Sequence, residues 1–220
     1  MSLPADHNRL IAHFARARLA PLGCQRKGRS RLWFDDQGWW AGVVEFQPSG
    51  WSKGSYLNVG AMWLWAPVDH WVFHEFDRAE PFHEFEDESQ FSAAVAHLAD
   101  RAGTEILAQR QRFAALAPVA TILEPKRAEG LWPRYHAAMA AALTGQVATA
   151  QERFLEFAGL ATAAPWADAR ARATRLAGAM TAPEEARQLI AQEVHETRAK
   201  LGLARWPAGR DLWNGATLPA

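Results

Sequence analysis

Apolar positions along this chain change their spacing once. In the first third they alternate with polar residues, or gather in aromatic and β-branched blocks broken by glycine and proline. Beyond about Asp87 they recur every three or four residues among Ala, Leu, Glu, Gln and Arg. The first texture belongs to strands and the second to helices. An opening helix is expected from Asp6 to Ala20, with Asp6 as its cap and Leu10, Ile11 and Phe14 on one face. Pro21 and Gly23 stop it. Four short strands follow, at Cys24–Lys27, Arg31–Phe34, Trp39–Gln47 and Ser55–Trp65, parted by Gly28, by the Asp35–Gly38 turn and by the Pro48–Gly54 loop. Helices are predicted at Ser89–Ala102, Thr104–Leu116, Trp132–Leu143, Gln146–Leu160, Pro165–Met180 and Pro183–Leu203. Thr181, Ala182, Pro183 and Glu184 read as a capping box opening the last.

Strands first and helices afterwards is the α+β order. The expected fold is an N-terminal helix with a four-stranded antiparallel sheet, then an all-helical part built of antiparallel hairpins. Residues 1–117 form the expected α+β domain, residues 118–205 the helical hairpins and residues 206–220 a tail rich in Trp, Pro and Gly.

Composition adds limits. The 220 residues carry 24 Lys+Arg and 24 Asp+Glu, a formal net charge of zero, which disfavours a general nucleic-acid or membrane-surface binder. The single cysteine, Cys24, excludes an internal disulfide and any cysteine-based zinc motif. The N-terminal residues lack the profile of a signal peptide, and no apolar run approaches a membrane span. A cytoplasmic protein is the expectation, and the scarcity of Lys beside abundant Arg and Ala suggests a GC-rich bacterial genome. Seven of the 11 tryptophans, Trp33, Trp39, Trp40, Trp51, Trp63, Trp65 and Trp71, crowd the strand region, so indole rings are expected to cement the sheet.

Within that region Leu22–Gly28 leads to Leu32, Trp33 and Phe34, then to Val43–Trp51, then to Tyr56–Gly60. A basic pair, a Gln-x-Ser-x-Trp turn and an aromatic-x-Asn-x-Gly strand occur in that order. Residues 8–116 thereby resemble the bacterial domain-of-unknown-function family 4304, with Cys24 standing where that family typically has an aromatic. The resemblance implies an α+β fold and no activity. Further on, Leu143, Thr144 and Gly145, followed by Ala150 and Phe154, resemble the turn and second helix of a tetratricopeptide unit. No repeat of about 34 residues recurs, so a plain αα-hairpin serves as well.

Four groups of residues could carry chemistry. Glu45, Gln47, Ser49, Trp51 and Asn58 would form a polar, ligand-binding cluster beside aromatics if the strand register puts Glu45 opposite Asn58. The same amides could instead hydrogen-bond the loop backbone and fix its shape. His70 and His74, four apart, could join His83 in a metal site if their segment were helical, giving a metal-dependent hydrolase; otherwise the segment is an acidic linker anchored by its aromatics. Arg26, Lys27, Arg29 and Arg31 adjoin Trp33, Trp39 and Trp40, the pairing that binds single strands, although alternation would leave the arginines solvated and the rings packed. Cys24, beside basic residues, reads more simply as a small core residue than as a nucleophile.

No catalytic constellation, cofactor motif or phosphate loop is present. The leading expectation is a non-enzymatic binding or interaction module using an aromatic-rich sheet face, with a protein or small molecule as its partner. An immunity-type partner of a bacterial effector is a further possibility.

Overall fold

The computed structural model describes residues 7–213; the expected Asp6 cap and the 214–220 end of the tail lie outside the described residues. Among the described residues the chain forms a five-stranded antiparallel sheet and seven α-helices, an α+β fold. It divides into two compact units. The first takes in described residues up to 37, with 41–62 and 75–111; the second takes in 38–40, 63–74 and 112 onward.

In the first unit, helix α1 (His7–Leu19) ends in a single 3-10 turn over Ala20–Leu22. Gly23 closes that turn at φ 84°, a left-handed conformation that a side chain disfavours. The sheet runs in chain order through β1 (Gln25–Arg26), β2 (Leu32–Asp36), β3 (Trp40–Gln47), β4 (Gly54–Trp63) and β5 (Glu75–Glu84). Helix α2 (Glu88–Arg112) follows as one continuous element, where the pattern suggested two with a break at Gly103. Gly103 is a buried helical position, and a Cβ there would lie 2.9 Å from Arg18 Nε, so this glycine marks a close approach of α1 and not a break.

The fifth strand corrects the expected count of four. Its sequence, EFDRAEPFHE, is acidic and contains Pro81, which reads as a linker. It is an edge strand, and an edge tolerates both charge and proline. The register is irregular on both sides of Leu57, which pairs with Glu80 while Ser55 pairs with His83 and Asn58 with Arg78. Pro81 falls in the slack so created. Gly54 begins β4 at φ 149°, where a Cβ would run into the His83 carbonyl and the Phe82 ring, so the β3–β4 loop can close against β5 only with glycine there.

One face of the sheet carries the core of this unit. Trp33, Val44, Phe46, Leu57 and Val59 meet Leu10, Ile11, Ala15 and Leu19 of α1 and Phe91, Val95, Leu98, Ala102 and Ile106 of α2. Burying large side chains of this kind contributes roughly 1.5–3 kcal/mol each before conformational entropy is counted.

The second unit holds helices α3 (Leu116–Lys126), α4 (Leu131–Leu143), α5 (Val147–Leu160), α6 (Ala167–Ala179) and α7 (Pro183–Lys200). Helix α3 was not expected from the pattern. Its first turn has no cap hydrogen bond and its last turn contains Pro125, so neither terminus signals itself. The capping box expected at α7 does not form: Ala182 is the N-cap, and Thr181 Oγ1 donates back to the Gly178 carbonyl at 3.3 Å.

Most of the tryptophans belong here. Trp39, Trp63 and Trp65 lie nearly parallel, with centroids 5.8, 5.3 and 5.6 Å apart pairwise. Trp40 and Trp63 meet the Phe113 ring edge-on at 5.2 and 5.1 Å. Of the tryptophans in the strand region, Trp33 alone lies in the sheet–helix core described above. The expectation that these rings cement the sheet is corrected accordingly: Trp40 and Trp63 sit at the extreme ends of β3 and β4, where the chain belongs to the second unit.

Candidate functional site

The face of the sheet turned away from α1 and α2 begins with alternation. Leu32 pairs with Glu45 and Phe34 with Val43, so these residues share the face opposite to Trp33 and Val44. On β4, Tyr56 and Asn58 alternate with the core residues Leu57 and Val59. Asn58 in turn pairs with Arg78 of β5. The register thus places Glu45 and Asn58 on one face.

Asn58 is the centre of the cluster. Its Nδ2 donates to Gln47 Oε1 at 2.8 Å and to Glu45 Oε2 at 3.2 Å. Gln47 Oε1 also accepts from Arg78 at 3.4 Å. The two acceptors settle which way the amide points, because turning it would set oxygen against oxygen. Asn58 Oδ1 is then left buried with no hydrogen-bond donor among the described residues. An unsatisfied buried acceptor costs about 1–3 kcal/mol. The expectation that Gln47 and Asn58 fix the loop backbone is replaced by bonds between side chains; the loop is held by Arg31, which donates to the Gly54 carbonyl at 2.9 Å, and by Ser55, whose Oγ lies 3.5 Å from the Gln47 carbonyl.

Aromatic rings flank the polar groups. The Arg78 guanidinium lies over the Tyr56 ring, 4.3 Å from its centroid, and Phe82 packs on the same ring at 5.0 Å. Phe76 is exposed and Phe34 half-buried. The face is therefore lined by Phe and Tyr, not by Trp. Ser49 and Trp51 occupy the β3–β4 loop. Ser49 Oγ accepts the Trp51 backbone N–H at 3.1 Å, and Trp51 is 99% exposed, whereas Trp33, Trp39, Trp40, Trp63 and Trp65 are buried. Arg78 joins the cluster from β5, whose acidic, proline-containing sequence carries no strand signature.

The remaining candidates come apart. His70 is exposed beside Asp69 at 3.0 Å; His74 is half-buried, its Nδ1 accepting the Trp63 backbone N–H at 2.9 Å; His83 lies 3.9 Å from Glu80. The segment carrying the first two is not helical, so the spacing of four has no geometric consequence. Among the described residues no group of three or more His, Cys, Asp or Glu could hold a metal ion. Burial pushes the Cys24 thiol up to about 12, with the Asp35 carboxylate adding to it, so the thiolate is suppressed. Arg26 is occupied by the Ser30 and Arg29 carbonyls at 2.7 and 2.9 Å, and Trp33, Trp39 and Trp40 are buried, which leaves no stacking platform on that hairpin.

No helix of the described residues is long and apolar enough to cross a membrane. Comparison with protein-family models, with curated proteins and with solved structures finds nothing that matches this chain.

Proposed function

We propose that this chain is a non-enzymatic binding module whose contact surface is the outer face of the sheet, centred on Glu45, Gln47, Asn58, Tyr56 and Arg78 and extended by Trp51 on the adjacent loop. The observation that carries this reading is the buried Asn58 amide, bound to two side chains at 2.8 and 3.2 Å with its own oxygen left unsatisfied. An apolar pair at these positions would hold the sheet at no such cost, and an unsatisfied acceptor set among half-buried polar side chains on a sheet face is suited to recognition.

The Glu45 carboxylate and the amide oxygens present acceptors, while Tyr56, Phe76 and Phe82 supply flanking apolar area. That combination suits a ligand offering N–H donors on an apolar frame, such as a peptide segment or a small amine. The reading rests on these residues alone and needs no membership of the family that residues 8–116 resemble.

The test compares the full chain with its Glu45→Gln, Arg78→Ala double variant as bait in extracts of the native cell, with proteins and small molecules both identified by mass spectrometry. A ligand retained by the wild type and lost by a variant of unchanged fold supports the proposal. Retention indifferent to both substitutions, or mapping by amide shifts to any other surface, refutes it.

A further inference from the structure

Helix α7 ends in a tight turn, with Gly202 at φ 72° and the Leu203 N–H bonded to the Arg198 carbonyl at 2.9 Å. The chain from there to Leu212 folds over the end of α7 and encloses a pocket of about 620 Å³. Its lining includes His195, Arg198, Leu203, Arg205, Trp206 and Arg210, and among the described residues contains no acidic side chain. Asp211, the neighbouring acid in sequence, accepts the Trp213 backbone N–H at 2.9 Å through Oδ1.

The cationic groups are arranged, not scattered. Arg198 is buried and donates to the Gly38 carbonyl at 2.9 Å and the Ala204 carbonyl at 2.7 Å, which fixes its guanidinium against the Trp206 ring at 5.1 Å. Arg210 lies over the same ring at 4.9 Å. Trp206 is 8% exposed, and its Nε1 is buried with no acceptor among the described residues. A buried indole N–H is ordinarily hydrogen-bonded. Arg205 and Arg210 are exposed and form no ion pair with another of the described residues. Burial holds the His195 imidazole below its usual range, and the charges of Arg198 and Arg205 add to the effect.

A second large pocket of this unit differs in charge. That groove, about 640 Å³ between α3 and α5, is lined by Glu124 and Arg153, which neutralise one another at 2.6 Å.

We propose that the pocket at the end of α7 binds a compact oxyanion carrying two or more negative charges, a phosphoryl group or a polycarboxylate. Two exposed guanidinium groups, Arg205 and Arg210, supply charge-assisted donors from the surface, and the Trp206 indole N–H supplies a neutral donor from within. Because guanidinium groups already cover the Trp206 ring, the pocket offers no free aromatic face for a base or a second ring, and a small headgroup fits best.

The experiment titrates the full chain with inorganic phosphate, citrate and acetate at constant ionic strength, following the Trp206 indole N–H resonance by NMR. Saturable shifts with phosphate and citrate but not acetate are expected. Affinity should fall about tenfold for each guanidinium removed in Arg205→Ala and Arg210→Ala, and stay unchanged in Arg29→Ala, an exposed arginine of the first unit. A response to phosphate alone supports the proposal and identifies the phosphoryl group as the ligand. Absence of a saturable shift with any multivalent anion, or equal effects of all three substitutions, overturns it.

Discussion

Asp35 and Arg110, 75 positions apart, form a two-pronged, largely buried ion pair: Arg110 Nη2 meets Oδ1 at 2.6 Å and Nε meets Oδ2 at 2.8 Å. Arg110 also donates to the Leu22 carbonyl at 2.6 Å, and Gln37 donates to Asp35 Oδ2 at 2.9 Å. The pair joins the end of β2 to α2 and to the turn after α1, the points at which the first unit's covering helices are fastened to its sheet.

Removing one partner strands the other. Asp35 is 3% exposed, so Arg110→Ala leaves a desolvated carboxylate and is expected to destabilise the protein by about 3–5 kcal/mol, read from the urea midpoint. Replacing both, as Asp35→Leu with Arg110→Met, should recover most of that loss. A single variant within about 1 kcal/mol of wild type would show the pair to be a dispensable surface contact.

Acid sensitivity should come from two imidazoles of the second unit. His74 and His136 lie 4.4 Å apart between ring centroids; burial lowers His74 from 6.5 to about 3 and lowers His136 well below its usual range. His136 Nδ1 accepts the Trp65 indole N–H at 3.1 Å, as His74 accepts from Trp63, so both roles require the neutral ring. The folded pKa is depressed, so stability is complete above pH 6.5 and falls as pH drops toward 3, where the unfolded chain binds protons that the folded chain refuses. Each group steepens the decline by at most about 1.4 kcal/mol per pH unit. His74→Asn should flatten the profile of stability against pH. An imidazole resonance of His74 titrating near 6.5 in the native protein would contradict the assignment.

Glu193 should act in the opposite sense. It is 1% exposed, accepts from Tyr135 at 3.2 Å and Arg175 at 3.0 Å, and burial raises its carboxyl above 4.5 despite Arg172 and Arg175 nearby. A raised folded pKa favours the native state at low pH and withdraws that stability as pH rises through the folded value. Glu193→Gln keeps the acceptor toward Tyr135 and should make the protein relatively more stable at pH 8 than at pH 4.5, compared with wild type. Equal effects at both values would refute this.

Cys24 should be inert in the native state. With its thiol pushed up to about 12 and 5% of the residue exposed, alkylation at pH 8 should proceed only through unfolding and accelerate in urea. Labelling at the rate of a free thiol would mean that the β1 end of the core opens readily.

The split between what was legible in the sequence and what was not follows the range of the forces involved. Helices α4, α5, α6 and α7 lie within three residues of their expected bounds, and β2 and β3 fall where alternation placed them, because period and turn chemistry act within a few residues. Glu45, Gln47 and Asn58 were visible as polar residues at alternating positions, but whether they meet depends on a register that one residue of slip would invert. Strand β5 and its Arg78 were hidden, since an edge strand bonded on one side needs no apolar signature. The tryptophans misled for a related reason. Their density announced burial, and Trp33, Trp39, Trp40, Trp63 and Trp65 are buried, but composition cannot say which core receives a ring at the end of a strand. Local spacing along the chain determined the elements; long-range pairing alone decided their neighbours.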